Sequence, residues 1–71
     1  MKELHIDNRG LQPPEPMMRI LEACATLQPG DRIVAEMDRR PIFLFPELDE
    51  RNVRYECVER NGGYLLTLEQ Q

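Results

Sequence analysis

Three groups of residues in this chain carry chemistry by type and spacing. Arg9-Gly10-Leu11 leads into Pro13-Pro14-Glu15-Pro16, Arg39-Arg40 follows an apolar run, and the thiols Cys24 and Cys57 lie far apart in sequence. The first group reads as a stiff turn feeding a helix. Glycine tolerates positive φ, proline holds φ at about −65°, and Pro14 or Pro16 suits the first helical position, where a missing N–H costs nothing. Glu15 complements the positive end of the helix dipole. A helix N-terminus with the guanidinium groups of Arg9, Arg39 and Arg40 converging on it is an anion site in outline. The ordinary alternative pairs Arg9 with Asp7 or Glu15 and leaves Arg39 and Arg40 in a solvated loop with Asp38. The residues expected to bind a ligand or partner are Arg9, Pro13, Pro14, Glu15, Pro16, Arg39, Arg40 and Phe43.

Other chemistry is poorly supplied. Two cysteines without a CxxC pair and one histidine, His5, make no zinc site, so neither a metal nor a cofactor is expected. Cys24 falls within an apolar stripe and reads as a small core hydrophobe, and Cys57 reads as a second inward-facing residue. Reactive thiols need exposure and a nearby positive charge or helix N-terminus. The carboxylates are scattered, and no Ser/His/Asp or phosphate-loop constellation is present, so the chain is not expected to be an enzyme. Nine basic against 13 acidic side chains, a formal charge of −4, disfavour nucleic acid. The longest apolar run, Ile42–Phe45, is far short of the ~20 residues of a membrane span. The chain opens directly on polar–apolar alternation, so no signal peptide and a reduced, cytoplasmic setting are expected.

The elements that must position these groups follow from periodicity. Seventy-one residues suit one domain, 1–71, whose core supplies only ~3–5 kcal/mol net. Residues 2–7 alternate as a strand, with Leu4 and Ile6 on one side and His5 on the polar side. A helix follows to about Leu27, carrying Met17, Ile20, Leu21, Cys24 and Leu27 as one stripe. Arg32–Met37 reads as a central strand. A shorter helix begins between Pro41 and Leu44 and ends near Arg51, with Ile42, Phe45 and Leu48 buried and either Phe43 or Leu44 left near the surface. Pro46 must then fall in its first turn.

The last segment is a hairpin about Asn61-Gly62, a type I′ signal. With those two residues as the loop, Cys57 faces Leu66, Tyr55 faces Leu68 and Arg54 faces Glu69. Shifting the loop to Gly62-Gly63 sets Glu56 against Glu69, so the first register is preferred. The order β-α-β-α-β-β predicts an α/β (α+β) two-layer sandwich, a four-stranded mixed sheet with two helices on one face. Charges at Arg54, Glu56 and Glu69 oppose edge pairing, so a monomer or weak dimer is expected.

The run Leu4-His5-Ile6-Asp7-Asn8-Arg9-Gly10-Leu11-Gln12-Pro13-Pro14-Glu15-Pro16-Met17-Met18, with Leu27-Gln28-Pro29-Gly30-Asp31, resembles the TusA/SirA-like family of small sulfur carriers. That family's pattern is Asp-x-Arg-Gly-Leu-x-Cys-Pro-x-Pro. The resemblance covers nearly the whole chain and implies the same β-α-β-α-β-β layout. It also implies a persulfide-forming cysteine at the helix N-terminus, and here that position is Pro13, which has neither a nucleophile nor an N–H. The closer resemblance is to a branch of uncharacterised function carrying Pro-Pro-x-Pro. Two function classes remain. One is a non-catalytic binding or regulatory module that takes a protein partner or small anion at the start of the first helix. The other is a sulfur-handling protein using Cys24 or Cys57.

Overall fold

Apolar–polar alternation, broken at turn-forming residues, is converted into six elements. The computed structural model describes residues 2–71. The elements are β1 (Glu3–Asp7), α1 (Glu15–Cys24), β2 (Arg32–Met37), α2 (Phe45–Glu50), β3 (Val53–Arg60) and β4 (Gly63–Gln70). The strands form one mixed sheet in the order β1-β2-β4-β3, with β1 parallel to β2 and the other neighbours antiparallel. Ile33, Ala35 and Met37 of β2, Leu66 and Leu68 of β4, and Val53 of β3 meet Ile20 and Cys24 of α1 and Leu48 of α2 in one core. Both helices therefore cover the same face, and the fold is a two-layer α+β sandwich. Each fully buried Leu or Ile contributes about 1.5–3 kcal/mol.

The opposite face is ordered by charge. Glu3, Arg32, Glu69 and Arg54 align in register across all four strands with alternating sign, and Arg54 Nη1 lies 3.7 Å from Glu69 Oε1. Such cross-strand pairs support a solvated sheet face. Asn61 and Gly62 both take positive φ, 51° and 81°, as a type I′ turn requires. Cys57 stands opposite Leu66 and Tyr55 opposite Leu68, the expected register. The strand order makes β1 and β3 the edges, so Glu69, on β4, is interior to the sheet and guards no edge.

Three local expectations are corrected. Helix α1 ends at Cys24, and bonds from Thr26 N–H to Ala23 O and from Leu27 N–H to Cys24 O, both 3.2 Å, tighten the chain beyond it. Leu27 stays buried at the end of that turn. Pro14 is the N-cap and Pro16 the second helical residue, a position whose N–H would also lack a helical partner. The third correction concerns the second helix. Residues 41–44 form a turn closed by Leu44 N–H to Pro41 O at 2.9 Å, and α2 starts only at Phe45. Helical spacing therefore does not reach back to Ile42, which is 55% exposed. Leu44, the α-conformation N-cap four residues before Leu48, falls on the buried side and is 1% exposed. Phe43 is the residue left outside, at 81%.

Asp31 anchors the start of β2. Its carboxylate is buried and accepts the Gln28 N–H at 3.0 Å and the Lys2 N–H at 2.9 Å. The Gln28 bond is the main cause that lowers its pKa from the ordinary value, with burial opposing it. A depressed carboxylate adds stability above the unfolded value of about 3.9 and loses it as pH falls through the lower folded value.

Two measurements test this packing. Urea unfolding of Leu44→Ala is expected to show a loss of about 2–5 kcal/mol, while Ile42→Ala stays within about 0.5 kcal/mol of wild type. In a pH series, wild-type stability falls from about pH 4 downward, and Asp31→Asn, already less stable at neutral pH, shows a flatter acid limb.

Candidate functional site

Between β1 and α1 the sequence supplies an asparagine where the strand alternation stops. Asn8 is 1% exposed and its side chain is fully engaged. Its Nδ2 donates to Pro16 O at 3.1 Å and contacts Met37 Sδ at 3.3 Å, and its Oδ1 accepts from Arg19 Nη1 at 3.1 Å. Its N–H bonds Glu36 O at 2.9 Å. One buried amide thus joins the end of β1, the first turn of α1 and the end of β2. Gly10, at φ 80°, donates its N–H to Asp38 Oδ2 at 2.6 Å, tying the loop after β1 to the loop after β2.

Parallel pairing brings those two loops to the same end of the sheet, and a groove of ≈ 420 Å³ on one side and another of ≈ 620 Å³ on the helix side open there. The larger groove runs between the loop entering α1 and the 39–44 segment. Leu11, Pro13, Pro14, Pro16 and Met17 form one wall; Arg39, Arg40, Ile42 and Phe43 form the other. Its surface is predominantly apolar. Pro13-Pro14 is a cis peptide. The Arg40 guanidinium carbon lies 5.4 Å from the Phe45 ring centroid, and Phe45 stacks on Tyr55 at 4.7 Å with a 3° interplanar angle. This cation–π contact fixes Arg40 beside the groove. Among the described residues, neither Arg39 nor Arg40 has a carboxylate in ion-pair contact.

Six of the eight residues singled out from the sequence meet here: Pro13, Pro14, Pro16, Arg39, Arg40 and Phe43. Arg9 does not, and the expected convergence is corrected. Its Nε and Nη2 each lie 2.9 Å from an Asp7 carboxylate oxygen, and Nη2 is 3.7 Å from Glu36 Oε2. Register places Asp7 beside Glu36 on the solvated sheet face, so Arg9 neutralises two adjacent like charges. It holds the Asp7 carboxyl well below the ordinary carboxylate range. Arg9 lines the smaller groove instead. Glu15 lies in the first turn of α1 and outside the groove lining.

The N-terminus of α1 is also poorer in donors than the outline suggested. Pro14 and Pro16 have no N–H, and the Glu15 N–H already bonds Gln12 O at 3.0 Å. What converges is an apolar trough with a cationic rim, better suited to side chains than to a bare anion. The thiols lie elsewhere. Burial raises the pKa of Cys24, opposed by the charge of Arg51, and raises that of half-buried Cys57, opposed by Arg40. Among the described residues, no group of three or more His, Cys, Asp or Glu is placed to hold a metal ion. No helix is long and apolar enough to cross a membrane.

Sequence reasoning missed Asn8, Leu11 and Ile42. The signal available for Asn8 was a polar residue ending the β1 alternation directly before Arg9-Gly10. Asn8→Ala leaves buried partners unsatisfied and is expected to cost about 1–3 kcal/mol in urea unfolding. The same variant should speed amide exchange at Met17 and Met18, while the β3–β4 hairpin keeps its relative protection.

Comparison with known proteins adds one relationship. A family model described as an uncharacterized conserved protein, DUF2249, matches residues 5–68. No curated protein and no solved structure matches the chain. The family match takes in the second half of β1, both walls of the apolar groove and nearly all of the terminal hairpin, and the chain belongs to the DUF2249 family.

Proposed function

We propose that this chain is a non-catalytic binding module that takes a segment of a partner protein in the groove between the loop entering α1 and residues 39–44. The observation that carries this reading is Phe43, which stands 81% exposed at the wall of a predominantly apolar trough lined by four prolines. Aromatic, Met and Arg side chains are enriched at the centres of protein interfaces, and a rigid wall keeps the ordering cost of binding low. A small anion is less well served, because Arg9 is engaged by Asp7 and the first turn of α1 has few free donors.

The reading extends to origin and setting. The Asp7-Asn8-Arg9-Gly10-Leu11 run and Pro13-Pro14-Glu15-Pro16 support a TusA-like scaffold in which Pro13 stands in for the persulfide cysteine. A cytoplasmic location, with no nucleic-acid or membrane partner, belongs to the same proposal. So does a monomeric or weakly dimeric state.

A sulfur-handling role is the second reading. The observation in its favour is Cys57, half-buried and close enough to Arg40 for that charge to oppose its raised pKa. Against it stand the raised pKa values of both thiols, since the thiolate is the reactive form.

Two experiments test these readings. Random peptides displayed on phage are selected on the immobilised wild-type chain and counter-selected on Phe43→Ala. Binders that need Phe43 but tolerate Val58→Ala are expected; an absence of such binders overturns the groove reading. Separately, incubation with a persulfide donor is expected to add no sulfur to either cysteine by intact mass, with native Cys24 alkylating at least ~100-fold more slowly than in urea. A one-sulfur increment on Cys24 or Cys57 would restore the carrier role.

A further inference from the structure

We infer that the segment the groove accepts is acidic, with apolar anchors flanked by carboxylates; this rests on the groove being the binding face. The cationic rim is unmatched from within the chain. Among the described residues, Arg39 and Arg40 have no carboxylate in ion-pair contact, whereas Arg9, Arg51 and Arg54 do. The nearest acid in the lining, Asp38, is occupied in accepting the Gly10 N–H at 2.6 Å and so serves to close the loop. A cation–π contact at 5.4 Å holds Arg40 at the Phe45 ring, and among the described residues its N–H donors face no carboxylate in ion-pair contact. A guanidinium held in place and without an internal counter-ion suits a carboxylate, which it binds through paired N–H donors.

The rest of the molecule sharpens that choice. The chain carries a net charge of −4, so an acidic partner is repelled in general and finds its complement where two arginines stand together. Pro13 and Phe43 offer contact without donors, so the anchors between the carboxylates are apolar. An acidic segment thereby gains specificity at the rim and buried area in the trough.

The test begins from peptides that the groove selects. Their sequences are expected to be enriched in Asp and Glu next to Leu, Met or aromatic residues. The strongest binder is then synthesised in two forms, one with its carboxylates and one with each replaced by the amide. Binding is followed through the amide resonances of Leu11, Met17, Ile42 and Phe43. The acidic form is expected to bind about tenfold more tightly at about 0.05 M salt, with the advantage shrinking at about 0.5 M. The Arg39→Ala/Arg40→Ala double variant should bind both forms equally.

A neutral or basic consensus, or equal affinity for the two forms, overturns the acidic assignment and leaves the groove reading standing. Concentration-dependent shifts of the same resonances without peptide would give the groove to a second copy of the chain. Displacement of the peptide by inorganic phosphate, with shifts at Arg39 and Arg40 alone, would give the rim to a free anion. Either result overturns the inference.

Discussion

The buried amide of Asn8 is the constraint on which the working end of this protein depends. A polar side chain removed from water must have its hydrogen bonds met, and Asn8 meets them through Pro16, Arg19 and a contact with Met37. Those partners come from the first helix and the central strand. One residue therefore ties the first turn of α1, and with it the proline wall of the groove, to the end of β2. An apolar side chain of similar size would fill the space and leave the carbonyl of Pro16 without its donor. The Gly10–Asp38 bond acts in the same direction from the loop side, so the prolines are held against the 39–44 segment by polar contacts and not by packing alone.

Charge is partitioned between the two faces of the sheet. The solvated face resolves its own charges, with Arg9 between Asp7 and Glu36 and Arg54 against Glu69. The helix side is different at its open end, where Arg39 and Arg40 stand at the rim of an apolar trough. Exposed pairs contribute little to stability. Their effect here is on charge distribution, because they determine which arginines are left without an internal counter-ion. Arg9 sits in a motif that suggests anion binding and is nonetheless consumed internally, since parallel pairing sets two carboxylates side by side.

A helix N-terminus can lower a thiol's pKa and gather an anion, and both properties rest on free N–H groups. In this chain Pro14 and Pro16 supply no N–H there, and the Glu15 N–H is taken by Gln12 O. Cys24 lies in the core and Cys57 packs against it, and burial there favours the neutral thiol of each.

Local pattern alone determined much of this structure. The extents of β1 and β2, the β-α-β-α-β-β order, the hairpin register and the turn at Asn61-Gly62 all follow from interactions between near neighbours, and the structure bears them out. So do the inward placement of Cys24 and the exposure of one residue of the Phe43-Leu44 pair. Tertiary structure decided the rest. Helical spacing misassigned Ile42 as buried, because Pro41–Leu44 forms a turn and α2 starts only at Phe45, and the same turn decides that Leu44 and not Phe43 is the buried member of its pair. Arg9 takes Asp7, one of the two partners its sequence neighbourhood offered, while its second contact, Glu36 at 3.7 Å, is brought beside Asp7 only by strand pairing. Asn8 shows no periodicity at all, because its bonds reach across the chain to α1 and β2. Short-range spacing records which face a residue occupies within its own element; contacts between elements exist only once the sheet has formed.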